Sequence, residues 1–318
     1  MPALPPMSAP IAVVVFVIGV ILAVWATERL LEGLVGLSRA VKLSTFAVGA
    51  LLSGFEAENV AVGLAAGASS APTVALGTVF GGAMFLVCVA LGVGGVLYPL
   101  NVSLPRGVLA SFMVAPLVAG VGLFGERTPR IAGLAMLVIF CGLMAYLVIS
   151  ARRHHFLDPD EVEEALEHPR GLLAAAVLTI VGIVVIGIGG DLVAAGATNI
   201  VETVGVPAGL MGMVIAPAAI ELEEIVRQAV PTREGHPEVS VGNLVGTLFY
   251  FVLFNFGLIA LIAPVDIAPM VRTLDWPALV IATLIATAFL ARGRIGRIEG
   301  MLLLATYAVY VVAHVLLR

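Results

Sequence analysis

Ten apolar stretches, each long enough to cross a lipid bilayer as a helix, fill almost the whole of this sequence. A transmembrane helix needs roughly 20 apolar residues to cross about 30 Å of hydrocarbon. The stretches lie at 11–36, 43–67, 73–98, 104–124, 129–151, 171–200, 206–230, 237–263, 274–292 and 298–317. Since little of the chain remains between them, the sequence predicts an all-α membrane protein with ten transmembrane helices and no soluble domain.

The composition supports this class and excludes several others. Hydrophobic residues make up 61% of the chain and charged residues 12%, whereas soluble domains carry about 25% charged residues. Nucleic-acid binding, disorder and a secreted disulfide scaffold are therefore not expected. Both cysteines, Cys88 and Cys141, lie inside apolar stretches, so neither a structural disulfide nor a cysteine metal site is predicted.

The longest hydrophilic link, Arg152 to Arg170, divides the chain into five spans and five. We therefore expect a first repeat at 1–151, a link at 152–170 and a second repeat at 171–318. If the N-terminus is outside, eleven basic residues fall in cytoplasmic loops and four on the outer side. Because cytoplasmic loops are enriched in Lys and Arg, we expect both termini outside, the link in the cytoplasm, and residence in the cytoplasmic (plasma) membrane.

The two halves match one another in sequence. Five is an odd number of spans, so two consecutive copies point in opposite directions across the membrane. The matched segments are Phe55-Glu56-Ala57-Glu58-Asn59-Val60, Gly77-Thr78 and Gly81-Gly82 in the first half, and Ile220-Glu221-Leu222-Glu223-Glu224-Ile225, Gly242-Asn243 and Gly246-Thr247 in the second. Inverted five-helix repeats around a site near the bilayer midplane are typical of secondary transporters.

Five acidic residues fall inside the apolar spans: Glu56, Glu58, Glu221, Glu223 and Glu224. Each ionised group there costs at least about 3 kcal/mol, so they indicate function. Glu221 and Glu224 are three residues apart and share a helix face, as do Glu56 and Asn59. We expect these four residues to form an oxygen-rich cation site, with the three carboxylates as metal ligands, since calcium takes about six to eight oxygen ligands.

A second group of residues is compatible with ion or proton binding but has simpler explanations. Glu58 and Glu223 lie about 100° round the helix from the expected ligands, where ion pairs with Arg29 and Arg227 are the alternative. Thr247 is a weaker candidate next to Gly246. The glycines recur about every four residues, a small-residue pattern that favours close helix packing: Gly77, Gly81, Gly82, Gly242 and Gly246. Asn255 is one turn beyond Phe251 and either supplies a ligand or bonds a neighbouring carbonyl.

The spacing after Glu224 resembles a known family. Gly235-His236-Pro237-Glu238, Gly242-Asn243 and Gly246-Thr247 look like the second alpha-repeat of the sodium/calcium exchanger superfamily. The resemblance places Glu224 on the family's ion-binding glutamate and Asn59 on the matching position of the first repeat. It implies ten helices in two inverted repeats, exchange of small inorganic cations across the bilayer, and no cofactor.

The sequence departs from this family at the site itself. The family's T-S-L-P-E becomes Ile220-Glu221-Leu222-Glu223-Glu224 here, so its hydroxyl ligands are absent, and two further ligand positions are Leu86 and Phe251. We therefore expect a secondary antiporter for calcium or another divalent cation. Crowded carboxylates retain protons when empty, which favours exchange for protons; sodium-driven exchange and a non-transporting, cation-binding relative remain alternatives. An enzyme is not expected, since neither H-E-x-x-H nor G-x-S-x-G occurs.

Overall fold

A computed structural model describes residues 9–41, 45–53, 57–68, 72–153, 171–202 and 211–317. In chain order its helices are α1 (Ala9–Val41), α2 (Thr45–Val48, continued by a π-helical turn at Gly49–Ser53), α3 (Ala57–Ala68), α4 (Pro72–Leu97), α5 (Arg106–Leu123), α6 (Arg130–Arg153), α7 (Leu172–Glu202), α8 (Ala216–Ile220, preceded by a π-helical turn at Met211–Ile215), α9 (Leu222–Arg233), α10 (Pro237–Ile262), α11 (Val271–Ala291) and α12 (Arg297–Leu316). Two short strands, β1 (Leu100–Asn101) and β2 (Arg294–Ile295), pair antiparallel. The protein is an all-α membrane protein.

Eight helices in the described part of the chain are long and apolar enough to cross a membrane. They correspond to the expected spans except the second and the seventh. The second span contains α2 and α3, with residues 54–56 outside the described part of the chain, and the seventh consists of two shorter helices, α8 and α9. An interrupted helix is tolerated at membrane depth where protein covers the backbone, and this one is interrupted at the acidic segment of the second half.

Helices α4 and α10 form the centre of the protein. In the most apolar 18-residue stretch of each helix, 89% of α4 and 72% of α10 is buried inside the protein. The corresponding share is only 28% in α1 and in α7. Large apolar side chains such as Ile21, Ile131 and Leu173 are exposed on the outer helices. In a bilayer these side chains contact lipid, so the peripheral helices enclose α4 and α10.

The two halves pack through equivalent contacts. A Cβ atom at Gly246 of α10 would overlap the carbonyl of Ala50, and one at Gly81 of α4 would overlap the carbonyl of Met213. Ala50 and Met213 precede the acidic segments of their own halves, and Gly81 and Gly246 are matched positions of the two repeats. The expectation that these glycines allow close helix packing is confirmed, and the contacts place the π-helical turn before each acidic segment against the central helix of the other half.

The structure of the link between α9 and α10 explains why its sequence is G-H-P-E. Gly235 has φ +86, a conformation that glycine adopts without strain, and Pro237 is the first residue of α10, a position where proline's missing N–H costs nothing. The Ser240 hydroxyl then donates to the carbonyl of Gln228 at 2.8 Å. This turn fixes α10 against α9, which carries the acids.

Candidate functional site

Glu221 lies at the break between α8 and α9. Its backbone has φ −83 and ψ 2, and its N–H donates to the carbonyl of Pro217 at 2.9 Å. Pro217 has no N–H and is tolerated in the first turn of α8. The Glu221 side chain does not cap α9.

The main partner of that carboxylate comes from the other half of the protein. Nδ2 of Asn59, in the first turn of α3, donates to Oε1 of Glu221 at 2.7 Å. Asn59 is 0% exposed and Glu221 is 1% exposed. The absence of a side chain at Gly82 lets Oε1 lie against α4, since a Cβ there would be 3.3 Å from it. Oδ1 of Asn59 is buried and has no hydrogen-bond partner among the described residues.

Glu224 has protein donors on both carboxylate oxygens. Asn243 of α10 donates through Nδ2 to Oε2 at 2.7 Å, and Arg227 donates through Nη1 to Oε1 at 2.8 Å. The same guanidinium donates through Nη2 to Oε1 of Glu223 at 2.5 Å. Arg227 therefore bridges two neighbouring carboxylates. We call Asn59, Glu221, Glu223, Glu224, Arg227 and Asn243 the carboxylate site.

The charge of the carboxylate site is strongly negative when its acids are ionised. It holds three carboxylates and one guanidinium, so its formal charge is −2 when all four groups are ionised. All four side chains are at least nine-tenths buried. Because a buried charge is costly unless it is paired, this group of described residues favours a bound cation or bound protons.

The remaining expected site residues divide into two groups. The Thr247 hydroxyl donates to Oδ1 of Asn243 at 3.5 Å, a long contact at the edge of the carboxylate site. Asn255 instead donates through Nδ2 to the hydroxyl of Thr78 at 3.2 Å. A Cβ at Gly63, one turn along α3 from Asn59, would lie 3.1 Å from Oδ1 of Asn255. Asn255 thus belongs to a neighbouring polar group rather than to the Glu224 face.

Two expected residues lie outside what the structure describes. Glu56 is not among the described residues, and for Glu58 the description covers its place in α3 but not its side chain. Leu86 and Phe251, which occupy former ligand positions of the family, are both 0% exposed. A Cβ at Gly82 would be 3.5 Å from the Phe251 ring and 3.3 Å from Oε1 of Glu221, so the ring and the carboxylate both lie against this glycine.

The expected ion pair between Glu223 and Arg227 is confirmed, but the sequence did not indicate that Arg227 also binds Glu224. The three-residue spacing from Glu224 to Arg227 was the available signal. Arg29, considered as a partner of Glu58, pairs with Glu32, and Glu28 pairs with Arg233 at 2.7 Å. The reason is that α9 packs beside α1 and brings Arg233 to Glu28.

A second buried polar cluster was also missed. Asp275 of α11 is 0% exposed, and Oδ1 accepts hydrogen bonds from Tyr310 at 2.7 Å and His314 at 2.6 Å. Asp275 and His314 line a cavity of about 210 Å³ that also contacts Met213. Tyr310 and His314 are four residues apart on one face of α12, but nothing in the sequence connects that face to Asp275.

Comparisons with known proteins agree with this architecture. The chain is 24% identical over 283 residues to the inner membrane protein YrbG of Escherichia coli (strain K12), covering 86% of this chain and 87% of that protein. It is 28% identical over 144 residues to the putative antiporter CaxA of Alkalimonas amylolytica, 45% of each chain. A structure of the sodium-calcium exchanger NCX_Mj soaked with sodium and strontium ions has a TM-score of 0.78 at 20% identity and covers 98% of this chain and 100% of that one.

The sequence pattern of one family extends over both halves of the chain. The pattern described as sodium/calcium exchanger protein matches residues 11–149 and 174–316. Together these ranges include every described helix of the carboxylate site. The ten-span architecture of two inverted repeats that the sequence predicts is the architecture of this family. The chain belongs to the sodium/calcium exchanger protein family.

Proposed function

We propose that this protein is a secondary active antiporter that moves calcium or another divalent cation across the membrane in exchange for protons. The observation that carries the proposal is the hydrogen bond from Asn59 to Glu221. It joins an amide of one half to a carboxylate of the other, both fully buried. A cation bound there contacts both halves at once, so its binding is sensitive to their relative movement.

The proposed cation site comprises Glu56, Asn59, Glu221 and Glu224, with the three carboxylates as direct ligands. Oδ1 of Asn59 supplies a buried oxygen with no partner among the described residues. Carboxylate and amide oxygens suit hard divalent cations. Glu58, Glu223, Thr247 and Asn255 are proposed as secondary positions for an ion or a proton, and no cofactor is required.

The charge of the carboxylate site supports proton coupling. The described residues of the site include three acids and one arginine, a formal charge of −2 when all are ionised. One divalent cation supplies the matching positive charge, and so do two protons when the cation has left. Carboxylates packed closely in a buried site cannot all ionise without a cation, so protonation on cation release follows from the same crowding.

Sodium-driven exchange is the second candidate, and one contact favours it. Thr78 and Asn255 place a hydroxyl and an amide beside each other in the buried interior, and Oδ1 of Asn255 has no partner among the described residues. Hydroxyl and amide oxygens are neutral ligands that suit a monovalent hard cation. This chain is also 27% identical over 112 residues to the sodium/calcium exchanger MaX1 of Methanosarcina acetivorans, and the match covers 35% of this chain and 32% of that protein.

The proposal includes two repeats, at 1–151 and 171–318, joined by a link at 152–170. It also places both termini outside the cytoplasmic membrane. These assignments rest on the repeat match and on the loop charges of the sequence. Helices α1 and α7 then have opposite directions across the bilayer, as inverted repeats require.

Purified protein in liposomes tests the transport proposal. We expect uptake of calcium, or of another divalent cation from a panel that includes strontium and manganese, when an outward proton or sodium gradient is imposed. Liposomes with the Glu224→Gln variant are the matched control. Uptake of no divalent cation under either gradient, with correctly folded protein, would exclude transport and favour a non-transporting relative.

A further inference from the structure

The guanidinium of Arg227 is a permanent positive charge in the middle of a proposed cation site. It lies 2.8 Å from Oε1 of Glu224 and 2.5 Å from Oε1 of Glu223. The side chains of all three residues are at most 7% exposed. Arginine is protonated at every working pH, so this charge is present whether or not a transported ion is bound.

Arg227 binds the oxygen that a transported cation needs. Asn243 donates to Oε2 of Glu224 and Arg227 donates to Oε1, so both oxygens of this carboxylate already accept hydrogen bonds. A divalent cation that takes Glu224 as a ligand binds one or both of these oxygens. Sharing Oε1 with a guanidinium at hydrogen-bonding distance is unfavourable for the cation, because the two positive charges repel one another.

We propose that Arg227 is a tethered cation that binds Glu224 in the empty protein and leaves it when the transported cation arrives. This inference rests on the proposed function, because it takes Glu224 as a ligand of the transported cation. In the empty protein the guanidinium pairs with the buried carboxylates. This is favourable because an ionised carboxylate buried without a partner is costly. Glu223 keeps its bond to the other arm of Arg227, so the guanidinium retains one partner after it leaves Glu224.

The tether makes Arg227 a residue that determines specificity. The apparent affinity for any cation is reduced by the fraction of molecules in which Arg227 occupies Glu224. A divalent cation gains about twice the Coulomb energy of a monovalent one at the same distance from a carboxylate. It therefore displaces the guanidinium at concentrations where sodium does not, and Arg227 selects for divalent cations by competition.

The test compares cation binding to the purified Arg227→Ala variant and to the unchanged protein. We expect calcium to bind the variant at least about tenfold more tightly in isothermal titration. Guanidinium chloride at millimolar concentration is then expected to weaken calcium binding to the variant competitively, because the free ion fits the position that the side chain has left. In the unchanged protein, neither guanidinium chloride nor tetramethylammonium chloride is expected to weaken calcium binding in this way. In the variant, guanidinium is expected to compete with calcium and tetramethylammonium is not.

Two further variants keep the test decisive. Arg233→Ala removes an exposed arginine from the end of the same helix, which pairs with Glu28 and Glu234, and is expected to leave calcium affinity unchanged. Arg227→Lys keeps the charge but loses the two-armed geometry, and is expected to bind calcium with an intermediate affinity even if Arg227→Ala does not fold. A purely structural role for Arg227 predicts lower stability but no competition by guanidinium.

The inference is overturned if folded Arg227→Ala or Arg227→Lys binds calcium no more tightly than the unchanged protein, or if guanidinium acts no differently from tetramethylammonium. Failure of the proposed function has a different signature. In that case the unchanged protein itself neither binds a divalent cation nor takes it up into liposomes.

Discussion

The side-chain amide of Asn59 donates a hydrogen bond of 2.7 Å to Glu221, a residue 162 positions further along the chain. The first turn of α3 and the break between α8 and α9 thus meet at one buried point. Each side chain comes from the acidic segment of its own half. The match between the two halves that is visible in the sequence therefore corresponds to a physical contact inside the protein.

The first prediction concerns Glu224, which accepts hydrogen bonds from both Arg227 and Asn243. We expect Glu224→Gln to lower divalent transport at least about a hundredfold while the protein stays folded, because loss of a buried charge partner costs about 3 kcal/mol or more. Glu223→Gln is expected to have a milder effect, since Glu223 contacts Arg227 on the other side. Uptake into liposomes and size-exclusion profiles of both variants give the measurement.

An essential Glu223 together with a dispensable Glu224 would contradict the assignment of the ligand face. It would also mean that the residue matching the family's glutamate has been wrongly identified. Glu221→Gln serves as a further comparison because it keeps the acceptor oxygen for Asn59 while removing the charge.

Several features of the fold and site follow from the sequence, because they depend on periodic burial and on local spacing. The spans and the pair of Glu223 with Arg227 are of this kind. The bond from Arg227 to Glu224 is different, since Arg227 is three residues from one acid and four from the other and both spacings allow contact. Only the packed position of the guanidinium shows that it binds both.

Contacts between distant helices account for what the sequence did not indicate. Asp275 is an acid at the start of a span, a position where an exposed charge is ordinary. Its burial depends on α12 placing Tyr310 and His314 against it. In the same way Asn255 was considered as a replacement for a lost ligand, but the packing of α4 gives it Thr78 as a partner.

The second prediction tests the glycine contacts between the halves. Gly246→Ala is expected to lower the free energy of unfolding by about 1–3 kcal/mol, because the added Cβ overlaps the backbone carbonyl of Ala50. Gly142→Ala in α6 is the matched control, since nothing lies within 4 Å of its added Cβ. Thermal unfolding in detergent gives the comparison, and equal stability of the two variants would contradict the packing described for α10.

The third prediction concerns the buried cluster around Asp275. Tyr310→Phe removes a hydroxyl that donates to Oδ1 of Asp275 at 2.7 Å, and we expect it to lower the free energy of unfolding by about 1–3 kcal/mol. Tyr307→Phe is the control. The Tyr307 hydroxyl is buried and has no hydrogen-bond partner among the described residues, so its removal is expected to be neutral or stabilising. A larger loss in Tyr307→Phe would contradict the assignment.

The fourth prediction concerns the direction of the chain in the membrane. The excess of basic residues in alternate loops predicts that the link at 152–170 lies in the cytoplasm. In a variant with Cys88 and Cys141 replaced, a single cysteine at Asp160 is therefore expected to resist an impermeant thiol reagent in intact cells and to react after the cells are opened. Labelling in intact cells would instead place the link outside and both termini in the cytoplasm.

The most direct test of the central claim is calcium uptake into liposomes that contain the protein, with an acidic interior, a neutral exterior and no sodium on either side. Because the carboxylate site exchanges one divalent cation for protons in the proposed mechanism, we expect calcium to enter while the interior becomes less acidic, and neither change with Glu224→Gln. Absence of calcium uptake under the pH gradient, together with strong uptake under an outward sodium gradient, would contradict proton coupling and identify a sodium-driven exchanger.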